Sequence, residues 1–133
     1  LYTWRGRDPS LRPILLAAHL DVVPAANDED WTHPPFAGVV RDGVVWGRGA
    51  IDDKGSIVAL FAAATALLAE GFQPERTVYF ALGHDEEIGG DEGAAAIAAR
   101  LSSRGVSLDW VLDEGGAVAG GFLPGLERDL PKG

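Results

Sequence analysis

The chain contains no cysteine and no methionine. Without cysteine there is no disulfide and no thiolate ligand, so any metal must be held by imidazole and carboxylate groups; the compartment stays undecided, because the absence fits either redox setting. Without methionine, and with Leu1 too large for routine loss of an initiator, position 1 reads as an internal point of a longer protein. Basic residues are scarce: 11 Lys and Arg stand against 20 Asp and Glu, a formal charge of −9. That balance argues against nucleic acid or an anionic membrane as partner, since both demand basic patches. Apolar runs are short, and none reaches the ~18 residues of a membrane-spanning helix.

What is present is 133 residues, 47% apolar and 23% charged, enough for one globular domain with one core. The run "ILLAA" at 14–18, continuously apolar and closed by His19-Leu20-Asp21, predicts a strand buried on both faces. From Asp21 to about Val40, Pro24, Asn27, Asp28, Pro34, Pro35 and Gly38 predict irregular structure around Trp31, His33 and Phe36. "VVRDGVVWG" then predicts a hairpin about Asp42-Gly43. Ile57, Leu60, Phe61, Ala64, Leu67 and Leu68 recur at helical spacing and predict a helix over roughly 54–70, with Gly71 as its C′ residue. "TVYFALG" reads as a strand, "DEGAAAIAARLSSRG" as an Ala-rich helix stopped near Gly105, and "DWVLDEGG" as a short strand. This alternation predicts an α/β fold, a mostly parallel sheet flanked by helices. The Gly- and Pro-rich "AVAGGFLPGLERDLPKG" predicts no regular element. The stripe from Ile57 to Leu68 and the residues Trp4, Trp46 and Trp110 read as core packing.

Each strand ends in acid: His19-Leu20-Asp21, then His84-Asp85-Glu86-Glu87, then Asp113-Glu114, with Asp52-Asp53 entering the same rim just before the long helix. In a parallel sheet the carboxyl ends share one edge, where ligands bind. So many carboxylates cannot stay ionised and unpaired; either their pKa values rise or cations move in. Imidazole plus carboxylates suits zinc, with manganese or cobalt as substitutes, and suits magnesium less. On a strand end, positions i and i+2 share a side, so Asp21 can orient the His19 ring. Asp53 and Asp85 stay open between supporting a ligand, charging a helix N-terminus and simple solvation; His84 and His33 read as structural or rim residues. Lys54-Gly55-Ser56 has the wrong order for a phosphate loop. A second reading keeps the acids for a non-enzymatic divalent-cation or phosphate switch, with Lys54 facing phosphate on Asp52.

In their order and spacing, "AAHLDVVP", "WTHPPFAG", "WGRGAIDDKG", "GHDEEIGG" and "VLDEGG" resemble the M20 family of dizinc peptidases and amidohydrolases, in particular its branch of carboxypeptidase S and the N-acyl amino acid hydrolases. The resemblance runs from about Ile14 to Gly116. It implies His19 and Asp113 on one zinc, Asp52 bridging two zincs, Glu87 on the second, Glu86 as general base, and Asp21 orienting His19. It also implies a zinc-exopeptidase-like catalytic domain, a cis Asp52-Asp53 peptide, and hydrolysis of amide bonds in small peptides or N-acyl amino acids with a free carboxylate. In the family a lid domain that mediates homodimerisation and a second zinc-binding histidine lie further along. On that pattern residues 1–133 are the first part of the catalytic domain, inactive alone, with sheet edges and apolar surface open to self-association.

Overall fold

The computed structural model describes residues 1–115, 117–118 and 131–132. Along the chain these form β1 (Tyr2–Trp4), β2 (Ile14–His19), β3 (Val39–Arg41), β4 (Val44–Trp46), α1 (Lys54–Ala69), β5 (Val78–Gly83), α2 (Ala94–Ser103), β6 (Val111–Leu112), β7 (Ala117–Val118) and β8 (Pro131–Lys132). Single 3₁₀ turns stand at Asp28–Asp30 and Glu86–Ile88.

The main sheet has the order β1-β5-β2-β6. β2 and β5 run parallel, in register from Ile14 opposite Val78 to His19 opposite Gly83. β6 joins β2 in parallel through Leu15 opposite Val111 and Leu16 opposite Leu112. Side chains alternate between faces along a strand, which sorts the core. Leu15, Ala81 and Leu101 of α2 form the buried cluster on one face, with Ala17, Tyr79 and Ile97 against it. On the other face Phe61 of α1 lies 5.4 Å from the Phe80 ring and 5.4 Å from Tyr2. The helices that follow β2 and β5 thus cover opposite faces, and the crevice at the carboxyl ends of these two strands is the expected ligand position of an open α/β sheet. His19, on the α2 face, stands at its floor.

Local rules account for the punctuation. Asp42 and Gly43 have φ of 53° and 78°, both positive as the tight two-residue hairpin turn requires. Gly71, φ 74°, donates its N–H to the Leu68 carbonyl and stops α1. α2 begins three residues later than the Asp91 start that the sequence suggests, because Gly89 and Gly90 adopt left-handed conformations and Gly93 takes the N-cap position.

Some expectations are corrected. No expectation covers β1, an edge strand of three residues that pairs antiparallel with β5. Trp110 is 48% exposed rather than packed in the core, and Val111 and Leu112 of β6 are also exposed. α1 has no buried residue; its stripe leaves an apolar cleft of about 200 Å³ between Leu60, Leu67, Trp4, Phe72 and Phe80. β7 and β8 pair antiparallel in the stretch where no element is expected; the other residues of that stretch lie outside the described ones.

The approach of β1 to the sheet is tight at Gly6, whose N–H donates to Thr77 Oγ1 at 3.2 Å. A Cβ there would overlap the Arg76 and Thr77 backbone. Gly6→Ala is therefore expected to lower stability by ~1–3 kcal/mol, read from the midpoint of chemical denaturation; an unchanged midpoint would show that β1 does not dock this way.

Candidate metal centre

His19 closes β2 and is 2% exposed. Its backbone N–H donates to Asp53 Oδ2 at 3.1 Å, and Asp53 is itself 1% exposed. Asp53 thereby supports the histidine's backbone. The Asp52-Asp53 peptide is cis, as the family resemblance implies.

Around the ring the acids divide into two sides. Behind it, Nδ1 lies 3.2 Å from Asp21 Oδ1 and 3.1 Å from the Asp21 carbonyl. In front, Nε2 lies 2.8 Å from Asp52 Oδ1, 2.9 Å from Glu114 Oε1 and 3.8 Å from Glu86 Oε2. Asp21 also receives the Glu86 N–H on Oδ1 at 3.1 Å and the Glu87 N–H on Oδ2 at 3.0 Å. One carboxylate thus ties the end of β2 to the turn after β5.

Charge follows from this geometry. Burial pulls the His19 imidazole below its ordinary value, but the Asp52 hydrogen bond and the charges of Glu114, Glu86 and Asp21 outweigh it and carry the ring up to about 9. Desolvation works to raise Asp21, yet the N–H groups of Glu87 and Glu86, its own backbone and the His19 charge hold it below the usual carboxylate range. Burial, followed by the Asp52 and Asp53 charges, pushes Glu114 up against the opposing pull of His19.

The donor set fits a divalent metal. Ligating atoms of His19, Asp52 and Glu114 all lie within 4.8 Å of one another, and Nδ1 is engaged from behind, which leaves Nε2 for an ion. The mixture of one imidazole and carboxylates is the chemistry zinc accepts. The cluster borders an acidic cleft of about 420 Å³, lined by Asp52, Asp53, Ser56, Asp113 and Glu114.

The residues predicted from sequence fall at different distances from this centre. His19 and Asp52 are in it, Asp21 stands behind it and Glu86 at its rim. The Glu87 carboxylate accepts the Val23 N–H at 3.1 Å. Asp113 lies beside the cluster, its Oδ1 accepting the Glu114 N–H at 2.9 Å, and Glu114 supplies the oxygen nearest to His19 from this strand. The sequence reading names both acids of this pair and takes Asp113 as the ligand from the family resemblance; in the structure the Glu114 oxygen is the one grouped with His19 and Asp52. Lys54 Nζ donates to the Leu20 carbonyl at 2.6 Å. His84 is exposed, and His33 packs edge-on against Trp46 at 5.1 Å.

Comparison with known proteins bears on the same residues. The model of peptidase family M20/M25/M40 matches residues 15–127. The chain belongs to this family. Among its relatives, the N-fatty-acyl-amino acid synthase/hydrolase PM20D1 of Mus musculus is 48% identical over 98% of this chain and 26% of its own length. The probable carboxypeptidase S-like 2 of Dictyostelium discoideum is 49% identical over 98% of this chain and 25% of its own length. Carboxypeptidase S of Saccharomyces cerevisiae is 48% identical over 78% of this chain and 19% of its own length. The crystal structure of human carnosine dipeptidase 1 aligns with a TM-score of 0.67 at 28% identity, covering 80% of this chain and 23% of that one. The α/β fold with its mostly parallel sheet is therefore that of an M20 member, and the chain spans about a quarter of the length of the curated relatives PM20D1 and carboxypeptidase S-like 2.

Because the folded value of His19 lies above the ordinary 6.5, its protonated form stabilises the metal-free fold. This contribution is complete below pH 6.5 and is lost as the pH rises through about 9. Thermal melts of the metal-free protein are expected to show a falling melting temperature across that window, with a flatter profile in Asp52→Asn. Metal must also displace the same proton, so apparent zinc affinity should weaken about tenfold per pH unit below that value. Melts and zinc titrations that are both flat would remove the charge assignment.

Proposed function

We propose that this chain supplies the first half of the metal centre of a zinc-dependent hydrolase that cleaves the amide bond of small peptides or N-acyl amino acids carrying a free carboxylate. The observation that carries the reading is His19, held by Asp21 at Nδ1 and faced by Asp52 and Glu114 at Nε2. On this reading His19, Asp52, Asp113 and Glu87 hold two zinc ions, with Glu114 beside Asp113, and cobalt or manganese are substitutes. Bound zinc supplies Lewis acidity, polarising a carbonyl oxygen and lowering the pKa of water toward ~7.

The chain's own residues do the rest. Asp21 keeps the His19 ring in the orientation and tautomer that turn Nε2 toward the acids. Glu86, half exposed at the rim and fixed through its backbone N–H on Asp21, takes a proton from the attacking water and returns it to the leaving nitrogen. Asp53 holds the His19 backbone. The substrate class is supported by relatives named as an N-fatty-acyl-amino acid synthase/hydrolase and a carboxypeptidase, and by a structural neighbour named as a carnosine dipeptidase. The same reading makes residues 1–133 the opening part of the catalytic domain, with the remaining metal ligand and a dimerising lid further along the full-length protein.

In the zinc-loaded full-length protein, acyl-amino acids and dipeptides are expected to be hydrolysed, and Glu86→Gln should lower kcat by ~10²–10⁴-fold with zinc retained. Asp52→Ala should lose zinc when weighed by native mass spectrometry. A wild type that retains zinc but cleaves none of a broad panel of these amides would sink the reading.

A further inference from the structure

Asp85 is buried along with His19 and Asp53, yet it takes no direct part in the centre. Its carbonyl accepts the N–H groups of Ile88 at 3.3 Å and Gly90 at 2.8 Å. Its Oδ2 accepts the Glu92 N–H at 2.7 Å. Its Oδ1 has no hydrogen-bond partner among the described residues, and it lies so close to Gly93 that a Cβ there would overlap it. A carboxyl oxygen buried without a donor costs free energy. The fold accepts that cost at one specific point, the start of the loop that carries Glu86 and Glu87.

The Glu86–Ile88 turn therefore has a carboxyl group on each side. From the metal centre, Asp21 takes the Glu86 and Glu87 N–H groups. From under the start of α2, Asp85 takes Glu92 with its side chain and Ile88 and Gly90 with its carbonyl, closing the loop from 85 to 92 on itself. Asp85 makes no hydrogen bond to His19, Asp52 or Glu114 among the described residues. Its reach into the site is entirely through the backbone of its two neighbours.

We propose that Asp85 is a positioning residue, whose side chain and carbonyl lock the 85–92 loop so that Glu86 and Glu87 present their backbone to Asp21 and Glu86 holds its carboxylate at the rim of the centre. The proposal rests on the reading that Glu86 works on water. Gly93 is part of the same device, since its bare Cα is what lets the Asp85 carboxyl group fit.

The test is steady-state kinetics on the zinc-loaded full-length enzyme, expressed per folded, metal-loaded molecule. Asp85→Ala is expected to lower kcat by ~10–100-fold while KM stays within about twofold. Asp85→Asn should recover most of the loss, because an amide oxygen still accepts the Glu92 N–H. Gly93→Ala, which leaves Asp85 in place but pushes it aside, should lower kcat similarly. In the double variant Asp85→Ala/Gly93→Ala the added methyl finds the oxygen gone, so the effects should not add. A wild type active on amides with Asp85→Ala within about twofold of it in kcat would overturn the role alone, even if the variant melts earlier, and additive effects in the double variant would do the same. A wild type inactive on every amide would overturn the function together with the role.

Discussion

The site depends on one carboxylate that is assigned to no metal. Asp21 faces His19 Nδ1 with one oxygen and receives the backbone N–H groups of Glu86 and Glu87 on its two oxygens. It stands two positions along the chain from its ring, and 65 and 66 positions from the other two partners. Remove it, and the Glu86 and Glu87 N–H groups lose their side-chain acceptor at the end of β2, leaving the Val23 N–H on the Glu87 carboxylate as a side-chain link between the two segments. Its low pKa has the same origin, since hydrogen bonds to the ionised form are what hold it ionised.

The remaining acids present the opposite problem. Asp52, Glu114 and Glu86 crowd one nitrogen, and Asp53 is buried behind it. Charges of one sign at such separations raise one another's pKa, as at Glu114, or are offset by a cation. In the metal-free protein the proton on His19 fills that role, which is why the ring holds it up to about pH 9. Proton and metal ion are thus alternative counter-charges for a single acidic nest.

Much of this is legible in the amino-acid sequence wherever the signal is local. The periodicity of Ile57 to Leu68 and the stop at Gly71 mark α1 because a helix records its exposed and covered sides within a few turns. Asp42-Gly43 marks the hairpin because few other residues tolerate two positive φ values in succession. The shared acidic rim follows from strands that run the same way. Features decided by distant partners are not legible in this way. β1 is three residues whose pairing depends on β5; Trp110, which its apolar bulk places inside, lies beside a sheet edge with no described neighbour beyond it. The start of α2 follows Gly89 and Gly90 at positive φ and a loop that Asp85 closes through the Glu92 N–H, and Glu114 rather than Asp113 bringing its oxygen to His19 turns on a one-residue difference at a strand end.

The lengths of the strands give the centre an unequal construction. His19 is the last of six residues paired with β5, so moving it means moving the middle of the sheet. Asp113 and Glu114 follow a strand held by two pairs, at the sheet's margin. The imidazole is thus the member of the nest tied most firmly into the described sheet, and the two acids after β6 are tied to it by the fewest described pairs.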